Sequence, residues 1–500
     1  MNRKVLAFAV AFGVVLFASA SQGATTKKDR ERIERKRTEN LERKFRHYYD
    51  QENASFVKKL KELAQWCAAS GLANEAAEIW DTAKAADPSI KDDAPAGAAD
   101  VTPTPENLAL WPAKKREVIR GHADALFTLG GNCFKSGLLG RAYDMVWEVV
   151  AFNPDHATAR KLLGQVKYGD KWVDKYDAAQ MRQGKTWHDK LGWVGKQIVQ
   201  HFEKGEMFYQ GRWMPIAKVE EIRSSWGNCW TLNTEHYKVK TNVSLADAVA
   251  FENILEENYK LFFRVFISYF SSKDQGEMLF GSKAGKNLMA VNYYTTAEEY
   301  AKHVGIKLKG TAGVYLGAEK SANFFRIDWN SNIRILKHEC THQLFFESRR
   351  VFGMSTYGAW VVEAGATYME SCRRVDGKLV TEGREAPWVK QYRALLGAGG
   401  KVTSLETLDQ CSYEAFQGLP AAYPQAAALA CFLMEAQDGN YREAFVDYIE
   451  AYYTSKLNKG GVLDEYVGVP YDELEDEFHK YILGQDDEKK DDEKKEDKKP

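Results

Sequence analysis

Long hydrophobic runs are almost missing from this chain. Beyond one apolar stretch at its start, none of the 500 residues belongs to a segment apolar enough to cross a bilayer. Cysteine is scarce as well. Seven Cys in 500 residues exclude a disulfide scaffold, and the odd number leaves at least one thiol over or pairs it between chains. An excess of charge of either sign is also absent: 69 Lys+Arg against 70 Asp+Glu give a net charge of -1. No global field therefore draws the chain to nucleic acid or to an anionic membrane. What remains is globular composition, 44% hydrophobic and 28% charged, which excludes disordered, collagen-like and multi-spanning classes. The length suggests about three domains.

The apolar stretch is a targeting signal by its order of residues. Arg3 and Lys4 are basic, Val5 to Ala18 is small and apolar, and Ala18-Ser19-Ala20 or Gly23-Ala24 offers a cleavage site. The run is shorter than a spanning helix needs. Residues 1–24 thus read as a signal peptide, and the mature protein is expected to be exported, periplasmic or secreted, with no transmembrane segment after cleavage. Export permits disulfides.

Residues 27–46 are rich in Lys, Arg and acids and free of Pro and Gly. They read as an exposed basic helix with a solvated face. An internal repeat follows. Residues 67–88 align without a gap on 133–154, matching Cys67/Cys133, Gly71/Gly137, Leu72/Leu138, Ala76/Ala142 and Pro88/Pro154. Leu63-Ala64 and Leu129-Gly130 sit one helix earlier in each copy. The pattern resembles the tetratricopeptide repeat, in which small residues stand where two helices cross and Pro ends the second helix. The region 25–165 is therefore expected to be helical hairpins, with 89–115 a Pro/Ala/Gly-rich insert. Cys67 and Cys133 read as packing residues, leaving Cys229, Cys340, Cys372, Cys411 and Cys431 for any bridge.

A junction at 166–228 holds two expected β-hairpins, Val166–Val173 and Met207–Met214, each with a Gly turn and a Trp. From there the chain alternates strand and helix: strands at 237–241, 288–292, 313–316 and 324–327, helices at 245–266 and 297–303. After Ile333 it reads as mainly helical to Leu483. The fold class is thus mainly α, with an α+β domain over 229–400 and a helical continuation over 401–485. Residues 486–500 carry charge and no core-forming side chain, and are expected to be disordered.

The chemistry concentrates at His338-Glu339-Cys340-Thr341-His342, an H-E-x-x-H motif inside an apolar-periodic helix. Histidines at i and i+4 share one helix face, so both imidazoles can reach one Zn²⁺. Glu339 then lies beside the metal, where a carboxylate can take a proton from a zinc-bound water. Composition alone would produce roughly 0.016 such matches in this chain. Cys340 faces away from the histidines and reads as packing. Twenty residues, 343–362, separate His342 from Glu363, enough to end one helix and return a third ligand on the next. Two His and one Glu leave a fourth position open, the catalytic arrangement.

Trp360, Glu363, Ala366, Tyr368 and Glu370 fall in the register W-x-x-E-x-x-A-x-Y-x-E. Together with H-E-x-x-H this resembles the gluzincin zinc metallopeptidases, in particular the aminopeptidase branch and its smaller secreted relatives. The departure is Ala364, where the family usually has Gly. The resemblance implies zinc held by His338, His342 and Glu363, Glu339 as general base, and a zincin-like fold. Glu370 is either a carboxylate orienting a ligating His or a plain exposed helix residue. A Tyr on a later helix stabilises the oxyanion in the family; Tyr423 is the candidate, Tyr413 its nearest competitor, and packing the alternative role. The strand Phe324–Ile327 would be the sheet edge that pairs with an extended substrate.

These features lead to an exported zinc-dependent metallopeptidase acting on protein or peptide, with a protein partner possible at the helical repeats. The alternatives are an inactive peptidase-like scaffold and a zinc hydrolase of non-peptide bonds.

Overall fold

The computed structural model describes residues 27–95, 101–270, 288–305, 311–347, 353–375, 377–457 and 460–485. The expected signal peptide and the expected disordered tail lie outside them. The chain is mainly helical with a central mixed α/β region. It forms two compact units, residues up to Gln165 with Asp376–Lys378, and the remainder.

In the first unit, α1 (Lys27–Ala69) and α2 (Ala73–Ala86) form one helical hairpin, and α3 (Pro105–Ser136) and α4 (Leu139–Phe152) a second, followed by α5 (Ala157–Leu162). The matched glycines have a reason. Gly71 and Gly137 turn the chain at φ +77° and +90°, which side chains with a Cβ resist. At the second crossing, a methyl on Gly130 would come within 2.9 Å of Met145 Cβ. Cys67 and Cys133 are both buried, as packing residues should be. Two expectations change. The basic stretch 27–46 is not wholly solvated: Glu42 and Phe45 are buried, and Arg141 Nε lies 3.1 Å from Glu42 Oε2. The insert is shorter than 89–115, because Thr104 accepts the Asn107 N–H at 3.1 Å and starts α3 at Pro105, eleven residues earlier.

The second unit opens with three hairpin–helix repeats where two hairpins were expected. They are β1 (Gln165–Tyr168), β2 (Lys171–Asp174) and α6 (Lys175–Arg182); β3 (Lys185–His188), β4 (Gly192–Gly195) and α7 (Lys196–Glu203); β5 (Glu206–Tyr209), β6 (Arg212–Pro215) and α8 (Ile216–Arg223). Trp213 stacks on His201 with ring centres 3.5 Å apart, and Leu191, Met207, Val219 and Trp230 form a small core. These repeats form a packed module with its own small core.

Then come β7 (Trp230–Asn233), β8 (Tyr237–Thr241), α9 (Leu245–Val265), β9 (Met289–Tyr294), α10 (Ala297–Val304), β10 (Gly313–Leu316) and β11 (Ser321–Phe325). The five strands make one mixed sheet in the order β10-β11-β9-β8-β7, antiparallel at both ends and parallel in the middle. The edge assignment is corrected here. β11 covers 321–325, and β10 folds back along it from Gly313↔Phe324 to Leu316↔Ser321. Both sides of β11 are therefore taken, and the outer strand is β10.

The helices α11 (Trp329–Glu347) and α12 (Val361–Ser371) carry the two motifs. After the pair β12 (Arg373–Val375) and β13 (Lys378–Val380) the chain is helical: α13 (Pro387–Gly397), α14 (Leu405–Asp409), α15 (Tyr413–Gln417), α16 (Ala422–Gly439), α17 (Arg442–Tyr453), α18 (Leu463–Val467) and α19 (Tyr471–Leu483). The main core joins Val239, Val291 and Phe324 of the sheet to Phe251 and Phe262 of α9 and Leu336, Cys340 and Leu344 of α11. All seven cysteines are free thiols, so none of the five considered for a bridge is paired. No helix among the described residues is long and apolar enough to cross a membrane.

Candidate metal centre

Local chemistry fixes where α11 begins. Asp328 Oδ1 accepts the Ser331 N–H at 3.0 Å. Buried Asn332 donates to the Phe325 carbonyl at 2.8 Å and accepts the Ile327 N–H at 3.0 Å, tying the helix start to the end of β11. From that start, His338 and His342 fall on one face and Cys340 on the core side, fully buried. α12 returns alongside. A methyl on Gly365 would stand 2.9 Å from Phe345 Cε2, so the close helix approach needs glycine at 365. Ala364, the departure from the family pattern, is fully buried as well.

The three expected ligands meet. His338 Nε2 lies 3.1 Å and His342 Nε2 3.7 Å from Glu363 Oε2. Bonds of ~2.0–2.1 Å to a tetrahedral zinc would set neighbouring ligand atoms about 3.3 Å apart, so this spacing fits the ion. Among the described residues, His338, His342 and Glu363 form a group of donor atoms close enough to hold it. Glu370 is not a plain exposed residue. Its Oε1 lies 2.8 Å from His338 Nδ1, on the far side of the ring from Glu363. A carboxylate there fixes the ring's orientation and leaves Nε2 for the metal.

The ionisations follow from burial and crowding. Burial works against the His338 cation, but hydrogen bonds to Glu363 and Glu370 and the charge of Glu339 outweigh it and raise its pKa well above the usual value. Burial pulls His342 down to about 4, with His338 pushing the same way. Burial also opposes the Glu363 charge, yet the two histidines and the Tyr413 hydroxyl hold that carboxyl at about 2. Glu339 is pushed up to about 7, by burial first, with Glu363 and Glu370 adding and His338 and the Tyr315 backbone N–H opposing. The carboxylates that raise His338 are the same ones that would favour a cation between them.

Two features were not legible beforehand. Tyr413 donates its hydroxyl to Glu363 Oε1 at 2.7 Å. Tyr423 stands behind it, hydrogen-bonded to Tyr413 and Gln417, with its ring against Phe416 and Trp388. Of the two tyrosines weighed, Tyr413 is the one that touches a ligand. The second feature is the closeness of β10 to α11. A methyl on Gly313 would fall 2.4 Å from Ile335 Cγ2 and 3.0 Å from Glu339 Cγ. Glycine at 313 lets the outer strand lie against the histidine helix, with the Tyr315 N–H at Glu339. Trp360 of the second motif is no part of the centre. It is fully buried and donates its indole N–H to Asp409 Oδ1 at 2.9 Å.

No family model, no curated protein and no solved structure matches this chain.

Proposed function

We propose that the chain is an exported zinc-dependent metallopeptidase of gluzincin type. One observation carries this reading: two imidazole Nε2 atoms and a carboxylate oxygen converge at zinc-ligand spacing, with a second carboxylate, Glu339, near enough for its charge to act on His338 and Glu363. Zinc, when bound, supplies a Lewis acid and an acidified water. His338, His342 and Glu363 hold it, and Glu370 orients His338. Glu339 takes a proton from water and returns it to the leaving amine. Tyr413 positions Glu363, and Tyr423, next to it, is the candidate donor to a developing oxyanion. An extended peptide pairs with the outer strand β10 beside Glu339, through main-chain hydrogen bonds. The two helical hairpins, tetratricopeptide-like in sequence, serve as a docking arm for a protein partner.

The test is zinc analysis of the purified mature protein with a peptide-library digest of wild type and Glu339→Gln. We expect one zinc per chain in both, and a loss of about 10²–10⁴ in hydrolysis for the variant. Absence of zinc refutes the centre. Zinc without turnover points to the scaffold alternative, and cleavage of esters or glycosides alone points to another hydrolase.

A further inference from the structure

We propose that a second site, the acidic and aromatic cavity lined by the hairpin–helix repeats and α9, binds an organic cation: a protonated amine or guanidinium on an alkyl stem. The cavity has a volume of about 770 Å³ and is lined by six carboxylates and two lysines. Most of these charges are already matched. Lys260 Nζ lies 2.5 Å from Asp174 Oδ2, Lys185 donates to Gln180 at 2.6 Å, and Arg374 meets Glu257 at 2.8 Å. Glu256 is saturated by His236 at 2.6 Å, the His236 N–H and the Thr234 hydroxyl.

Asp177 takes a hydrogen bond from Trp193. Glu252 is the buried exception: it is only 8% exposed, it lines the cavity, and among the described residues it has no hydrogen-bond or ion-pair partner. A carboxylate facing a cavity with little water and no protein partner gains from an incoming cation, which supplies the partner that the fold does not. Burial accordingly pushes its carboxyl up to about 8, with Glu256 adding. Gly192 closes over it, where a methyl would come within 3.3 Å of Oε2. Glu235 on the cavity wall has only His236 and Lys260 nearby as cations, and both are engaged elsewhere.

The remaining wall decides the class of ligand. Trp187 and Trp193 meet edge to face with ring centres 5.9 Å apart, and Tyr176 lines the same cavity. Aromatic faces beside an unpaired carboxylate suit an organic cation, which gains from both the charge and the ring quadrupoles. A metal ion is poorly served. Glu235, His236 and Glu256 have donor atoms close together, but the Glu256 oxygens and His236 Nδ1 are already spent on one another. The cavity would hold either a free diamine or the side chain of a Lys or Arg in a peptide.

The experiment is calorimetric titration of the full-length, zinc-loaded protein with cadaverine, agmatine, the peptide acetyl-Ala-Lys-Ala-amide, and neutral 1-pentanol. We expect saturable binding of at least one cationic probe and none of pentanol. A response confined to the peptide, or to the free amines, tells the two sources apart. Glu252→Gln should weaken binding by about tenfold or more, the value of one close charge in a desolvated site. Glu235→Gln, at a more exposed position, should weaken it less and guards against misfolding of the first variant. Zinc content should not change in either. The proposal is overturned if no cationic probe binds below about 10 mM. It is also overturned if pentanol binds equally, if both variants bind as wild type, or if Ca²⁺ binds there and displaces the amine.

Discussion

Replacing Asp409 should destabilise the second unit more than any other single carboxylate change outside the metal centre. Asp409 is 1% exposed at the end of α14. Its Oδ1 accepts the Trp360 indole at 2.9 Å and the Tyr448 hydroxyl; its Oδ2 accepts the Tyr471 hydroxyl at 2.6 Å and the Leu463 N–H at 3.0 Å. Four donors from separate segments thus end on one side chain. Hydrogen bonds to a charged acceptor contribute ~1.5–3 kcal/mol each, but they share one desolvation penalty and do not add. Asp409→Ala removes that penalty and leaves four donors without an acceptor, three of them on the fully buried Trp360, Tyr448 and Leu463. The net loss should be about 3–5 kcal/mol, as for breaking a buried charged network. At about 2 °C per kcal/mol for a unit this large, the melting temperature should fall by roughly 6–10 °C. Asp409→Asn keeps the shape but turns one acceptor into a donor facing donors, and should lie between alanine and wild type. Trp360→Phe removes one donor only, about 1–2 kcal/mol, and its effect should shrink in the Asp409→Ala background. Calorimetric melts of wild type, the three single variants and the double variant decide the matter. A fall under 2 °C for Asp409→Ala, or full additivity with Trp360→Phe, would show that the cluster is not a cooperative network.

In the metal centre, Glu363→Ala should lose zinc, whereas Glu370→Gln should keep it with about 10–100-fold lower affinity, read by chelator competition. Equal retention in both would mean that Glu363 is no ligand. Gly313→Val should drive β10 off α11, lowering peptide hydrolysis at least about tenfold while zinc stays bound; unchanged turnover would remove the outer strand from the substrate path. Glu252 supplies a pH test. Its folded pKa, about 8, stands above the unfolded carboxyl value, so its stabilising share is full below about pH 4.5 and lost as pH rises through 8. Glu252→Gln should match wild type near pH 4 and become the more stable protein by pH 9, and equal melting temperatures at pH 9 would refute it.

Much of the candidate metal centre was legible because its signals are local. The i, i+4 histidines put both rings on one face of any helix, and the apolar period around them made the helix itself plain. Strands 237–241 and 313–316 were legible as short alternating or apolar runs, and the repeated Gly71/Gly137 turns announced the helical hairpins. The middle hairpin at 185–195 escaped because its turn is longer than in its neighbours, although Gly164, Gly184 and Gly205 recur at spacings of 20 and 21 residues. Other facts have no local signal at all. Sheet order depends on which edge of β11 the β10 hairpin covers, so the outer strand was misplaced. Tyr413 and Tyr423 looked alike in sequence, and only the tertiary placement of α15 aims one hydroxyl at Glu363. Glu370 gained its partner, and Glu252 was left without one, through contacts across many residues of chain. The sequence determined which helix carries the ligands, because helical period is set by neighbours three and four residues away. The tertiary structure decided which carboxylates are matched, because that depends on what the fold brings beside them.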